Sequence, residues 1–128
     1  MQAYHKHTIL IVDDESDIRT ICANIIARSF EMVVVQAGSL EEAKRHVQNS
    51  PPDFAIIDLN LPDGSGLDLV DDLKCANNKV KFIFISAHNQ CIDRANVKNC
   101  GGFFLIPKPF KAEDITLSLQ SMMQSASS

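Results

Sequence analysis

One alternation constrains this chain more than any other feature. Short, unbroken apolar runs (Ile9–Val12, Val33–Val35, Phe54–Ile57, Phe82–Ile85 and Phe103–Ile106) are separated by longer segments whose apolar residues recur at helical spacing. A continuous apolar run bounded by turn residues reads as a strand buried on both faces, and such strands belong to parallel sheets covered by helices. Successive strand–helix units lead to an α/β fold: a five-stranded parallel sheet with helices on both faces, the flavodoxin-like doubly wound (βα)5 arrangement.

The elements follow in order. Thr8–Val12 reads as a strand, and Asp17–Arg28 as a helix with Ile18, Ile21, Cys22, Ile25 and Ile26 on one face. After a strand at Met32–Gln36, Ser39 is an N-cap with Glu42 as its capping-box partner. The helix it opens turns Leu40, Ala43 and Val47 inward and is stopped by Pro51-Pro52. Phe54–Ile57 is a strand, and Leu67–Asn77 a helix with Leu67, Val70 and Leu73 on its apolar side. Lys81–Ser86 is a strand. Cys91–Asn99 is a mostly polar helix anchored by Ile92, Ala95 and Val97, with Gly101 as its C′ residue. Phe103–Ile106 is the fifth strand, and Lys111–Gln124 the last helix, with Ile115, Leu119, Met122 and Met123 inward. The Ser-rich end, 125–128, reads as frayed or as the start of a linker.

A length of 128 residues suits a single domain, 1–128 with its core at about 8–124, and 45% hydrophobic residues supply a core. The net charge of −4, with no basic stripe along any helix, argues against direct nucleic acid binding. Four cysteines at irregular spacing match no zinc pattern and fit a reduced, cytoplasmic setting. The first residues lack the apolar core of a signal peptide, and no stretch is long enough to cross a membrane.

The chemistry gathers where strands end. Asp13-Asp14 follow the first strand, Asp58 ends the third, Ser86-Ala87 close the fourth, and Lys108 follows the fifth between Pro107 and Pro109. The C-terminal mouth of a parallel sheet is where this architecture places its sites. Each residue alone has a plain explanation: the acids as helix or turn caps, Ser86 as a turn residue, Lys108 as a solvated surface lysine. Together they suit phosphoryl transfer to a carboxylate. Such a nucleophile needs a hard cation to offset charge repulsion and a second cation to stabilise the transferring oxygens. The charges balance: Asp13, Asp14 and Asp58 carry three negative charges, and Mg²⁺ with Lys108 carries three positive. Ser86 offers a hydroxyl to a phosphoryl oxygen, and the small Ala87 leaves room for it. The Lys108–Pro109 bond is also a candidate cis peptide.

These elements resemble the receiver domain of two-component response regulators, of the chemotaxis type. The resemblance covers about residues 8–123 and rests on four motifs in order: Val12-Asp13-Asp14-Glu15, the loop from Asp58 to Gly66, Ser86-Ala87, and Lys108-Pro109-Phe110. It implies a regulatory phosphoacceptor rather than an enzyme acting on an external substrate. Asp58 would take a phosphoryl group from a sensor histidine kinase or phosphotransfer protein. Asp14, Asp58 and the Asn60 carbonyl would bind Mg²⁺ (or Mn²⁺) directly, with Asp13 acting through water. Lys108, Ser86 and Ala87 would stabilise the phosphoryl group, and Asn60 and His88 would tune its lifetime. Movement of Ser86 would alter the face of the fourth helix, fifth strand and fifth helix, which would meet an output domain, an effector or a second copy in a homodimer. One position departs from the family: the aromatic residue usual three places before the lysine is Leu105 here. Phe104 is one place off and is expected on the other face of the sheet, so the serine–aromatic coupling lacks its usual partner.

Two other classes fit the residues less well. An aspartate-nucleophile phosphatase carries D-x-D, but Asn60 stands where its second acid belongs. A flavodoxin-like cofactor binder needs a phosphate-accepting loop after the first strand, where this chain has Asp13-Asp14-Glu15.

Overall fold

All five apolar runs enter one parallel sheet. The computed structural model describes residues 6–87 and 91–124, with 91–94 described by backbone alone. In chain order the elements are β1 (His7–Val12), α1 (Ser16–Ser29), β2 (Met32–Ala37), α2 (Leu40–Asn49) and β3 (Phe54–Asp58). A small antiparallel ribbon follows, β4 (Asn60–Leu61) with β5 (Gly64–Ser65), and then a 3₁₀ turn over Gly66–Leu69 that runs into α3 (Val70–Ala76). The chain ends with β6 (Lys81–Ser86), α4 (Cys91–Asn99), β7 (Leu105–Pro107) and α5 (Ala112–Gln124). The main sheet has the order β2-β1-β3-β6-β7, parallel throughout.

Side chains alternate across this sheet and make two cores. Ile9, Ile11, Phe54, Ile56, Ile83, Ile85 and Ile106 face α1 and α5, where they meet Cys22, Ile26, Ile115, Leu119 and Met122. Leu10, Val12, Ala55, Ile57, Phe82 and Phe84 face the other way, onto Leu40, Ala43 and Val47 of α2 and Leu69, Val70 and Leu73 at the start of α3. Burying each such aliphatic side chain is worth roughly 1.5–3 kcal/mol, so the inner strands β1, β3 and β6 gain from both faces.

The edges correct four expectations. β2 is an edge strand, so its apolar run is not buried throughout, and Val33 is 48% exposed. In α1, Ile21 is 47% exposed, because the buried stripe runs through Cys22, Ile25 and Ile26. Ala95 of α4 is exposed while Val97 is buried; the Ile92 side chain lies outside the described residues. The fifth strand begins at Leu105 rather than Phe103. Phe103 and Phe104 still bond to β6 through Phe103 N to Phe82 O and Phe104 O from Phe84 N, but both side chains are exposed. The expectation that the run 103–106 is buried along its whole length therefore fails at its first two residues. The cause is the turn that ends α4. Gly101 has a φ of 93°, the left-handed conformation expected at C′, and Gly102 passes so close to Val97 and the Phe84 ring that a β-carbon would not fit.

The start of α2 is capped more fully than the sequence indicates. Ser39 Oγ accepts from Glu42 N at 3.1 Å, as expected, but Glu42 returns its carboxylate to Gly38 N, one residue earlier than a capping box requires. Asp63, from the loop after β3, accepts from Leu40 N and Glu41 N at 2.8 and 2.9 Å. The N–H groups of Glu41 and Leu40 hold the Asp63 carboxyl below its usual range. This cap is therefore complete above the ordinary carboxylate range and is lost as acid protonates Asp63.

The same loop closes tightly on β3. A β-carbon on Gly66 would lie 2.3 Å from the Asp58 carbonyl oxygen and 2.7 Å from Ile57 Cγ2. Gly66→Ala must shift the backbone that carries Asp58. We expect it to lower stability by about 2–3 kcal/mol, measured by urea unfolding followed by circular dichroism; a variant as stable as the parent would refute this close approach.

Candidate functional site

The sheet order places the site. Successive crossovers pass to opposite faces of the sheet on either side of β1 and β3, which leaves a crevice at their C-terminal ends. Asp13, just past β1, and Asp58, the last residue of β3, occupy this crevice, and both are buried. Asp14 lies on the open side, and carboxylate oxygens of Asp13, Asp14 and Asp58 all fall within 4.8 Å of one another.

Lys108 reaches this cluster from the far edge of the sheet. Its backbone N–H donates to Ser86 O at 2.8 Å, which ties the end of β7 to the end of β6. The Lys108–Pro109 peptide is cis, the isomer the sequence allowed. Lys108 Nζ lies 2.9 Å from Asp13 Oδ2, 3.1 Å from Asp58 Oδ2 and 3.2 Å from Glu15 Oε2, with the side chain 14% exposed. The remaining carboxylate oxygens bond to backbone: Asn60 N donates to Asp58 Oδ1 and Glu15 N to Asp13 Oδ1, each at 2.9 Å.

These surroundings set the charges. Burial works to lower the Lys108 pKa, but the adjacent Asp13 and Asp58 carboxylates outweigh it and the ammonium is held above its usual range. Burial raises the Asp58 pKa; the Asn60 N–H pulls it down, Asp13 pushes it up, and Lys108 pulls it down again. Burial, with the Asp13 charge second, pushes the nearby Cys22 thiol up to about 12, so Cys22 is a neutral core residue.

The donor set fits a small hard cation. All donors are oxygens, the preference of Mg²⁺ and Mn²⁺. Asp13 Oδ2 is fully buried and accepts no well-directed hydrogen bond. Lys108 Nζ is near enough to Oδ2 for an ion pair but lies off the line a hydrogen bond needs, so the charge is met and the lone pair is not. Glu15 adds a fourth carboxylate that the charge count from sequence left out. One ammonium facing four carboxylates leaves the pocket negative.

Four of the expected site residues come together in the crevice. Asp13, Asp14, Asp58 and Lys108 meet; Asn60 contributes its N–H; Ser86 is buried at the end of β6, with Ala87 exposed beside it. Leu105 is half-buried opposite Phe84 and packs on the α2–α3 side. His88 lies outside the described residues. Glu15 and Gly66 stand within the sequence motifs, but their contacts depend on where Lys108 and the Asp58 carbonyl come to lie.

A family model, the response regulator receiver domain, matches residues 9–120. The chain belongs to this family. Among curated relatives, it is 30% identical over 118 residues to the DNA-binding transcriptional regulator NtrC of Azospirillum brasilense, covering 92% of this chain and 24% of that protein. It is 33% identical over 116 residues to the KDP operon transcriptional regulatory protein KdpE of Escherichia coli, covering 88% and 49%. The receiver thus spans less than half of either relative. Among solved structures, the N-terminal domain of a Wolinella succinogenes protein is similar at a TM-score of 0.81 and 29% identity, covering 93% of this chain and 95% of that one. A CheY-like receiver domain protein from Methanospirillum hungatei JF-1 shares the fold at a TM-score of 0.87 and 22% identity, covering 95% and 97%. No helix among the described residues of this receiver is long and apolar enough to cross a membrane.

The raised pKa of Asp58 gives a prediction. The folded protein binds this proton more tightly than the unfolded chain does. Its favourable contribution is therefore full below the unfolded pKa, about 3.9, and is lost as pH rises through the folded value. At pH 7 in EDTA, well above the unfolded value, Asp58 is therefore a net cost to folding. Asp58→Asn should raise the thermal midpoint under those conditions, with the gain shrinking toward pH 4. A lower midpoint at pH 7 would contradict this electrostatic account.

Proposed function

We propose that Asp58 is the phosphoacceptor of a Mg²⁺-dependent switch, and that residues 8–124 act as one receiver unit. The observation that carries this reading is the convergence of Asp13, Asp14, Asp58 and Lys108 in one crevice, with a buried carboxylate oxygen lacking a hydrogen bond. Asp14, Asp58 and the Asn60 carbonyl would hold the ion, with Asp13 acting through water. When bound, Mg²⁺ (or Mn²⁺) offsets the negative charge shared by the carboxylates and the incoming phosphoryl oxygens.

The protein's own groups supply the rest. Asp58 must be ionised to attack phosphorus, and the Asn60 N–H and Lys108 favour that ionised form against burial. The phosphorus–nitrogen bond of a phosphohistidine breaks and a phosphorus–oxygen bond forms at Asp58, while the departing imidazole keeps the electron pair and takes a proton. Lys108 then faces one more anion and turns from the carboxylates toward the phosphoryl oxygens. Ser86 supplies its hydroxyl, Ala87 leaves space, and Asn60 and His88 set how readily water reaches the acyl phosphate.

A sensor histidine kinase or phosphotransfer protein in the cytoplasm would be the donor. The receiving surface would be the face of α4, β7 and α5, engaged by an output domain, an effector or a second copy. The exposed apolar side chains of Leu117 in α5 and Phe104 before β7 support that surface. The beryllofluoride-activated NtrC4 receiver, solved as a dimer, is 25% identical to this chain at a TM-score of 0.84. Leu105 would carry the switch motion of Ser86 in place of an aromatic residue.

With Mg²⁺ and acetyl phosphate, intact-mass analysis should find one added phosphoryl group, stable in mild acid and labile in base. EDTA or Asp58→Asn should abolish it. Full labelling of the Asp58→Asn variant would sink the assignment.

A further inference from the structure

Asp14 is the exposed member of the acid cluster, and no described residue holds its carboxylate by a hydrogen bond or an ion pair. The backbone sets the direction in which its side chain leaves the chain, and the plane of the peptide that joins Asp13 to Asp14 is part of that setting. The carbonyl oxygen of that peptide accepts a 2.6 Å bond from Arg19 Nη1. The bond is charge-assisted and short, and it comes from a planar fork with little rotational freedom.

The fork is itself aimed. Arg19 Nε donates to Gln36 Oε1 at 3.2 Å, near the end of β2, and Arg19 N donates to Glu15 O at 3.2 Å in the first turn of α1. A second, independent observation comes from Gly38. A β-carbon there would lie 3.2 Å from Arg19 Nη1 and 3.8 Å from Arg19 Cζ. The positive-φ glycines among the described residues are Gly64 and Gly101, so the backbone at Gly38 does not demand a glycine. A side chain at position 38 would crowd the guanidinium and would also meet Glu42 Oε1 at 3.7 Å.

We infer that Arg19 is a positioning residue of the cation pocket: through the Asp13 carbonyl it fixes the peptide plane that aims the Asp14 carboxylate, and Gly38 keeps the space this requires. The inference rests on the Mg²⁺ reading of the same pocket. It also has a sign that charge alone does not share. A guanidinium near the acids repels a divalent ion, so a purely electrostatic role makes its removal tighten Mg²⁺ binding. A positioning role makes removal weaken it.

Isothermal titration of Mg²⁺ into the parent protein, Arg19→Ala, Arg19→Lys and Gly38→Ala separates the two, with thermal midpoints in EDTA confirming that each variant is folded. Partners that orient metal ligands typically contribute about tenfold or more in metal affinity. We expect about tenfold weaker binding in Arg19→Ala and weaker binding also in Gly38→Ala, which keeps the charge but crowds the fork. Arg19→Lys, with charge but no fork, should not restore parent affinity. Unchanged or tighter Mg²⁺ binding in folded Arg19→Ala overturns the inference while leaving the phosphoacceptor reading intact. A parent protein that binds no Mg²⁺ overturns both.

Discussion

The contact on which the rest depends is Lys108 Nζ lying between Asp13 and Asp58. It joins the ends of β1 and β3 to the far edge of the sheet, across β6. Two carboxylates buried in one crevice repel each other and lose their hydration, and neither cost is recovered by packing. An ammonium held 2.9 and 3.1 Å away reduces both costs, but to reach them it must come from a strand whose end is fixed. The bond from Lys108 N to Ser86 O supplies that fixed end. A buried ion pair of this kind is weak evidence for stability, since an apolar replacement of similar volume is often neutral or better. Its value here is geometric: it keeps acids and cation at one point at the mouth of the sheet.

That point is made by topology more than by any local motif. The order β2-β1-β3-β6-β7 sets β1 beside β3, so residues 13 and 58, distant in the chain, become neighbours. The inner apolar strands β1, β3 and β6 are what hold this order, because each is buried between two cores. Close backbone approaches then refine it. Gly66 lets the loop after β3 fold against the Asp58 carbonyl, and Asp63 ties the same loop to the start of α2.

The sheet and the four motifs were legible in the sequence because each rests on a local signal. An unbroken apolar run marks an inner strand, and an acid or a lysine at its end marks the mouth. The misplacements share a different cause. Val33, Ile21, Phe103 and Phe104 are apolar residues at the rim, where hydrophobicity no longer reports burial. A periodicity argument places them inward because it cannot tell an edge strand from a central one. The contacts of Glu15, Asp63 and Gly66 were hidden for another reason. Each depends on a group far away in sequence, at Lys108, at the start of α2 or at the Asp58 carbonyl, and spacing along the chain carries no record of it.

Local stability and charge convergence oppose each other at this mouth. Helix capping and ion pairing satisfy acids elsewhere in the chain: Asp63 has two backbone donors, and Asp53 accepts from Thr8 N. Around Lys108 the donors fall short, since one ammonium serves Asp13, Glu15 and Asp58 while Asp13 Oδ2 goes without a directed bond. Folding alone gives no reason to bury this excess of negative charge. An all-oxygen pocket of net negative charge has the chemistry that suits a small hard cation.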